Sequence, residues 1–182
     1  MSLFTAETKR IFIFVLAAKI FILGVFLTVF GQDHLLWADS PLYLNLGHNT
    51  VTGNGFSQTA SDGSVIPDTR FMPLYPMLIG FFSVYVPYGL VFVSLLQAVA
   101  AAGIAVFTYK IGLFFLPSRW ALGAVLIASF EPLISAIHIL IMPETIFVFF
   151  LIGFVYFFLV YLHNFGSSVS EIIISDTELP KL

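Results

Sequence analysis

The stretch that decides the fold is IFIFVLAAKIFILGVFLTVF, residues 11–30, where Lys19 is the single charged side chain. A helix needs about 20 consecutive apolar residues to cross the roughly 30 Å hydrocarbon layer of a bilayer. This run has that length, and it ends without the small-residue cleavage site of a signal peptide. We therefore expect an uncleaved membrane span. Lys19 either packs or snorkels towards the interface, or it compensates another charge.

Composition extends this expectation to the whole chain. Of the 182 residues, 59% are hydrophobic and 9% are charged, whereas a soluble domain carries about 25% charged residues. No soluble fold of this length could hide so much apolar surface, so the fold class is all-α integral membrane. The net charge of −3 argues against nucleic acid as a partner, and the lack of cysteine excludes a disulfide framework.

The apolar territory of residues 73–116 is too long for one crossing, and Pro87 and Gly89 divide it. Residues 74–85 are short enough for an interfacial or re-entrant helix. About four transmembrane helices are predicted: residues 11–30, 90–109, 120–139 and 145–162. Together they form a transmembrane module, residues 1–163, followed by a short, loose tail, residues 164–182.

Basic residues predict the orientation of these spans. They flank the first span and the turn between the second and third: Lys9, Arg10, Lys110 and Arg119. The positive-inside rule places the N-terminus, this turn and the tail in the cytoplasm. The polar loop of residues 31–72 and the turn at Glu144 then face the extracytoplasmic side. Two polar regions far apart in sequence are thus expected on one face of the membrane.

The polar loop begins with Asp39, Ser40 and Pro41, which suit the start of a helix. We expect a short interfacial helix that ends at Gly53 or Gly55. Asp39 is then either a helix cap or a chemically active carboxylate fixed by that position, and the two roles are compatible.

Further candidate residues lie in the loop and near the later spans. Arg70 either pairs with Asp68 or lipid head groups, or holds a phosphate. Glu131 and Glu144 are acids in or beside apolar segments, where a carboxylate suggests function. His138 is either a packed histidine or a ligand for a polar substrate. No metal-ligand spacing is recognisable, so no metal site is predicted, although a divalent cation is compatible with the chemistry.

Four segments together resemble the N-terminal part of the GT-C glycosyltransferases, in the branch of bacterial protein-mannosyltransferase and aminoarabinose-transferase-like proteins. The resemblance covers about residues 9–162, nearly the whole chain. Its segments are ADSPLYLNLGHNTVTGNGFS (38–57), RFMPLYPMLIGFF (70–82), LLQAVAAAGIAVFTYKIG (95–112) and IMPETIFVFFLIGFVYFF (141–158).

The resemblance implies an inverting transfer of a hexose or pentose from a polyprenyl-phosphate donor to a lipid, protein or glycan hydroxyl outside the plasma (inner) membrane. Asp39 would be the catalytic base, with Glu144 as the second catalytic acid residue. Arg70 would face the lipid phosphate, and Tyr43 and His138 complete the candidate substrate-binding residues.

Members of that family usually have eight or more spans, whereas four are predicted here. The resemblance therefore implies a truncated enzyme, or one whose remaining spans come from a second chain, and activity of this chain alone is doubtful. The alternative is a non-enzymatic four-span subunit that packs against a partner membrane protein.

Overall fold

A computed structural model describes the backbone of residues 5–177 and the side chains of residues 5–165, and this part of the chain is almost entirely helical. Its helices are α1 (Ala6–Phe30), α2 (Ser40–Val51), α3 (Leu74–Tyr85), α4 (Gly89–Phe115), α5 (Ser118–Phe130), α6 (Pro132–Ile137) and α7 (Glu144–Thr177). A 3-10 turn, Gln32–Leu35, follows α1.

Three of these helices are long and apolar enough to cross a membrane: α1, α4 and the Glu144–Phe165 part of α7. α4 is the central one, because α1, α3, α5 and α7 all pack against it. Its buried face is rich in small residues, Ala98, Ala100, Ala101, Ala102 and Ala105. Small side chains let helix backbones approach closely, which is why one helix can carry four neighbours.

The predicted third span is not one helix. α5 ends at Phe130, and α6 is a separate helix that starts at Pro132. The break has a local cause, because proline has no N–H to continue the helical ladder and the Glu131 carboxylate instead accepts the Ile134 N–H at 2.7 Å. Glu131 is an exposed cap of α6 and does not lie deep in the bundle. A continuous helix over residues 120–139 was therefore a wrong expectation.

Lys19 fills this break from α1. Its side chain is 1% exposed, and its ammonium donates to the Ser129 carbonyl and, at 3.0 Å, to the Ser135 hydroxyl. A carbonyl in the last turn of a helix has no partner within that helix, and Lys19 supplies one. The packed alternative for Lys19 is the one the structure shows.

Two short antiparallel strands lie between α2 and α3, β1 (Ser57–Thr59) and β2 (Val65–Pro67). The all-α prediction did not include this hairpin. Its tip is a tight turn, in which Gly63 adopts a left-handed φ of 83° and the Asp62 carboxylate accepts the Ser64 N–H at 3.0 Å.

The helix that carries the last predicted span, residues 145–162, continues to Thr177. Most of the tail expected to be loose, residues 164–182, therefore has a helical backbone. Its last five positions, 178–182, lie outside the described residues.

Candidate functional site

α2 and α3 cross with their backbones in contact. A Cβ atom on Gly47 would lie 1.9 Å from the Pro76 carbonyl oxygen, and one on Gly80 would lie 2.3 Å from the Gly47 carbonyl. Neither position therefore has room for a side chain. Four residues before Gly47 and five residues before Gly80, the rings of Tyr43 and Tyr75 meet edge to face, with centroids 5.9 Å apart.

A third ring extends this contact into a row. Phe71 also packs edge to face on Tyr43, with centroids 5.4 Å apart, and we call Phe71, Tyr43 and Tyr75 the aromatic row. The Arg70 guanidinium lies over the Phe71 ring, 5.6 Å from its centroid. A cation over a ring face is favourable, so the guanidinium sits at one end of the row.

The segment that leads into α7 is fixed from α4. The Ser94 hydroxyl donates to the Ile139 carbonyl at 2.8 Å, and the Gln97 amide donates to the Leu140 and Met142 carbonyls at 3.0 and 2.9 Å. Residues 139–142 lie outside any helix, so these buried carbonyls need partners from elsewhere. Two polar side chains of α4 supply them.

The same segment is tied to the start of α2. The Ile141 N–H donates to the Leu35 carbonyl at 2.9 Å, and the Ser40 hydroxyl donates to the Ile141 carbonyl. Ser40 follows Asp39 directly, and Ile141 lies three residues before Glu144. These two hydrogen bonds therefore join the chain segments that carry the two candidate carboxylates.

Asp39 occupies the N-cap position of α2, as predicted, but its carboxylate makes no capping hydrogen bond. Side-chain capping requires an extended backbone at the cap residue, whereas Asp39 has φ −83° and ψ −2°. Ala38, in the left-handed region with φ 49°, turns the chain just before it. The capping role is therefore wrong, and the carboxylate stays exposed beside the positive end of the helix.

Glu144 is the first residue of α7, and its carboxylate is also exposed. Burial raises the pKa of the Tyr43 phenol, and the negative charges of Asp39 and Glu144 raise it further. Both carboxylates thus lie within electrostatic reach of one phenol. In the described part of the chain, neither carboxylate side chain forms a hydrogen bond or an ion pair.

Arg70 pairs with Asp68 at 2.8 Å, as one of its two predicted roles required, and its side chain remains 70% exposed. The Gln58 amide also donates to the Asp68 carboxylate. Hydrogen bonds from Arg70 are the main reason that the pKa of Asp68 falls from 3.8 to about 2. The guanidinium can therefore face a second anion while Asp68 fixes its position.

His138 is buried elsewhere, 5% exposed, at the end of α6. The charged group that acts on its imidazole is the Lys19 ammonium, and its Nδ1 atom has no hydrogen-bond partner within the described residues. The structure therefore brings together four of the five predicted site residues, Asp39, Glu144, Tyr43 and Arg70, around the aromatic row. It puts His138 with Lys19 instead.

No three histidine, aspartate or glutamate side chains gather as metal ligands within the described residues. Two open concavities lie among the described residues. One of about 420 Å³ runs along α2 past Pro41, Leu44 and His48, and one of about 630 Å³ lies at the turn between α3 and α4, beside Pro87. Neither of these two is lined by Asp39 or Glu144, whose carboxylates are both exposed.

Sequence reasoning missed how certain residues position the aromatic row and the two carboxylates. These residues are Ser40, Gly47, Tyr75, Gly80, Ser94 and Gln97. A signal existed for Ser94 and Gln97, because two polar residues three positions apart share one face of an otherwise apolar helix. In comparisons with known proteins, no protein-family model, no curated protein and no solved structure matches this chain.

Proposed function

We propose that the protein is a membrane glycosyltransferase, or the N-terminal part of one, that takes a sugar from a polyprenyl-phosphate donor. The observation that carries this proposal is the pair of unbonded carboxylates, Asp39 and Glu144, both within electrostatic reach of the half-buried Tyr43 phenol. A carboxylate without a protein partner is free to accept a proton or a hydroxyl hydrogen bond.

The proposed reaction is a single displacement. Asp39 takes the proton of an acceptor hydroxyl, and the acceptor oxygen bonds to the anomeric carbon as the carbon–oxygen bond to the lipid phosphate breaks. The electron pair of that bond leaves with the phosphate. Glu144 accepts hydrogen bonds from sugar hydroxyls and holds the ring at the attacking side.

The remaining residues suit the two ends of such a donor. The rings of the aromatic row are apolar surfaces beside polar groups, which is what a sugar ring requires. Arg70, at the Phe71 end of the row, places a mostly exposed guanidinium where a phosphate could bind. The short α3 and the loop before it would lie at the membrane surface, where a lipid-linked donor presents its head group.

The proposal also includes the orientation of the helices in the membrane. With the N-terminus in the cytoplasm, α1 leads outward, so that the aromatic row and both carboxylates lie on the extracytoplasmic side of the plasma (inner) membrane. α5 and α6 together would supply a fourth, broken crossing before α7. Discontinuous helices are tolerated at membrane depth where protein satisfies the freed backbone groups, as Lys19 does at Ser129.

The non-enzymatic alternative is a membrane subunit whose polar loop packs against a partner protein. Under it, the small-residue face of α4 would be sensitive to bulky substitutions, but that face is covered by the chain's own helices, so this sensitivity does not distinguish the two functions. The exposed apolar surface is instead on α1 and α7, where lipid or the spans of a second chain would lie.

The test is donor turnover by membranes of the native cell, which contain the chain together with any spans that complete it. A panel of decaprenyl-phosphate mannose, glucose and arabinose would be offered, and formation of decaprenyl phosphate measured. We expect turnover of one donor, and an Asp39→Asn variant should lose at least 100-fold of it while inserting normally. Asp33→Asn is the matched control, since Asp33 is an exposed acid of the same loop. Turnover of no donor, or equal turnover by Asp39→Asn, would count against the proposal.

A further inference from the structure

The Tyr75 hydroxyl is a buried polar group that has no use within the described part of the chain. Tyr75 is 8% exposed, and its hydroxyl has no hydrogen-bond partner. Buried polar groups are nearly always hydrogen-bonded, and an exception calls for an explanation such as a missing ligand. Tyr85, the other tyrosine of α3, differs in both respects, because its side chain is exposed and its hydroxyl donates to the Val51 carbonyl at 3.2 Å.

This hydroxyl belongs to a ring of the aromatic row, near which the two candidate carboxylates lie. The Tyr75 ring packs edge to face on Tyr43. Burial raises the pKa of the Tyr75 phenol, and the negative charge of the Glu144 carboxylate raises it further. The ring lies at the helix crossing, since Tyr75 directly precedes Pro76, whose carbonyl meets Gly47. A buried donor within electrostatic reach of a free carboxylate is a binding arrangement built before any ligand arrives.

The charges decide what this donor can bind. A phosphate placed against Tyr75 would also face the negative charge of Glu144, and the cation available to it, Arg70, lies at the other end of the aromatic row. A neutral hydroxyl has no such conflict. It can accept the hydrogen bond of the Tyr75 phenol and donate its own hydrogen to the carboxylate.

We infer that the Tyr75 hydroxyl is a specificity-determining hydrogen-bond donor to a neutral oxygen of the donor's sugar ring, not to its phosphate. The inference rests on the proposed function. It divides the cluster into a sugar end, formed by Tyr75, Tyr43 and Glu144, and a phosphate end at Arg70.

The experiment uses the full chain in nanodiscs and two probes: the decaprenyl-phosphate sugar of the panel that binds most tightly, and decaprenyl phosphate without sugar. We expect Tyr75→Phe to weaken binding of the sugar-bearing probe roughly three- to tenfold, the value of one neutral hydrogen bond, and to leave decaprenyl phosphate binding unchanged. Tyr85→Phe, on the same helix but with a hydroxyl already paired, should leave both affinities unchanged.

A second measurement, the thermal unfolding midpoint, tests for a purely structural role of the hydroxyl. If it is unpaired in the free protein, Tyr75→Phe leaves the thermal unfolding midpoint unchanged or raises it, and a lowered midpoint would overturn the inference. Equal loss for both probes, or no loss for either, would overturn it as well. If the unmodified chain binds the two probes equally, the proposed function itself fails, whereas sugar-dependent binding that Tyr75→Phe retains refutes only the role of Tyr75.

Discussion

Gly47 of α2 and Gly80 of α3 face each other so closely that a Cβ atom on either would overlap the backbone of the other helix. Backbone atoms cannot rotate away as a side chain can, so this contact fixes the distance between the two helices. Because Tyr43 lies four residues before Gly47 and Tyr75 five residues before Gly80, the crossing also sets the distance between these two rings.

Gly47→Ala should therefore lower stability by about 1–3 kcal/mol, as overpacking does, although alanine is the better helix former. The measurement is thermal unfolding in detergent, followed by circular dichroism. Gly24→Ala in α1 is the control, because a Cβ atom there meets nothing within 4 Å, and its midpoint should stay the same or rise. An unchanged midpoint for Gly47→Ala would show that the helices are not in backbone contact.

Local sequence signals predicted the elements well where a single segment determines its own structure. The predicted helix of residues 74–85 is α3 with the same bounds. α2 starts at Ser40, as the Ser40–Pro41 signal predicted, and it ends at Val51, just before the left-handed Gly53. Pro132 breaks the third predicted span, although proline was visible in the sequence. The prediction underestimated how strongly Pro132 breaks the helix, because that effect depends on whether Glu131 caps a new helix.

The assembly of the candidate site could be predicted only in part. The topology argument put Asp39 and Glu144 on one face of a membrane, but it could not give the hydrogen bonds that join their segments. Those bonds connect Ser40 with Ile141 and Ser94 with Ile139, pairs that are 101 and 45 positions apart. Such contacts depend on how the helices pack, and no local pattern encodes them.

The ion pair at the loop predicts a pH dependence. The pKa of Asp68 is lower in the folded chain, about 2, than its ordinary value of 3.8. Its carboxylate therefore stabilises the loop above pH 3.8, and this contribution is lost as the pH falls through about 2. In Arg70→Gln the Asp68 pKa should rise towards 3.8, measured by carbon NMR of labelled aspartate carboxyls.

Asp62 serves as the internal control in the same spectra. Its pKa is lowered by hydrogen bonds from Ser64, and these do not involve Arg70. An Arg70→Gln variant in which Asp68 titrates as before would show that the pair does not form in solution. A shift of both carboxyls would show that the whole loop has rearranged.

Lys19 should be replaceable by an apolar side chain of similar length. In the described part of the chain no carboxylate bonds to it, and the Ser129 carbonyl also accepts from the Ser135 hydroxyl at 3.2 Å. Removing a buried charge whose partners stay satisfied is often neutral or stabilising by about 1 kcal/mol or more. Lys19→Met should therefore unfold at the same or a higher temperature.

Lys19→Ala is the informative comparison, because it removes the packed stem as well as the charge. Its cavity should cost about 2–3 kcal/mol, read from the same unfolding curves. If Lys19→Met were as unstable as Lys19→Ala, the hydrogen bonds from the ammonium to Ser129 and Ser135 would be needed for stability, and the prediction would be wrong.

The most direct test of the central claim is a crosslink between the two carboxylate positions. The chain has no cysteine, so Asp39→Cys and Glu144→Cys introduce the only thiols. A short bifunctional methanethiosulfonate that does not cross membranes would be added to intact cells, with a Glu7→Cys and Glu144→Cys pair as the control. We predict an intramolecular crosslink for the first pair and none for the second. If both thiols of the first pair react singly but never join, or if only one is reachable from outside, the two carboxylates do not share a site.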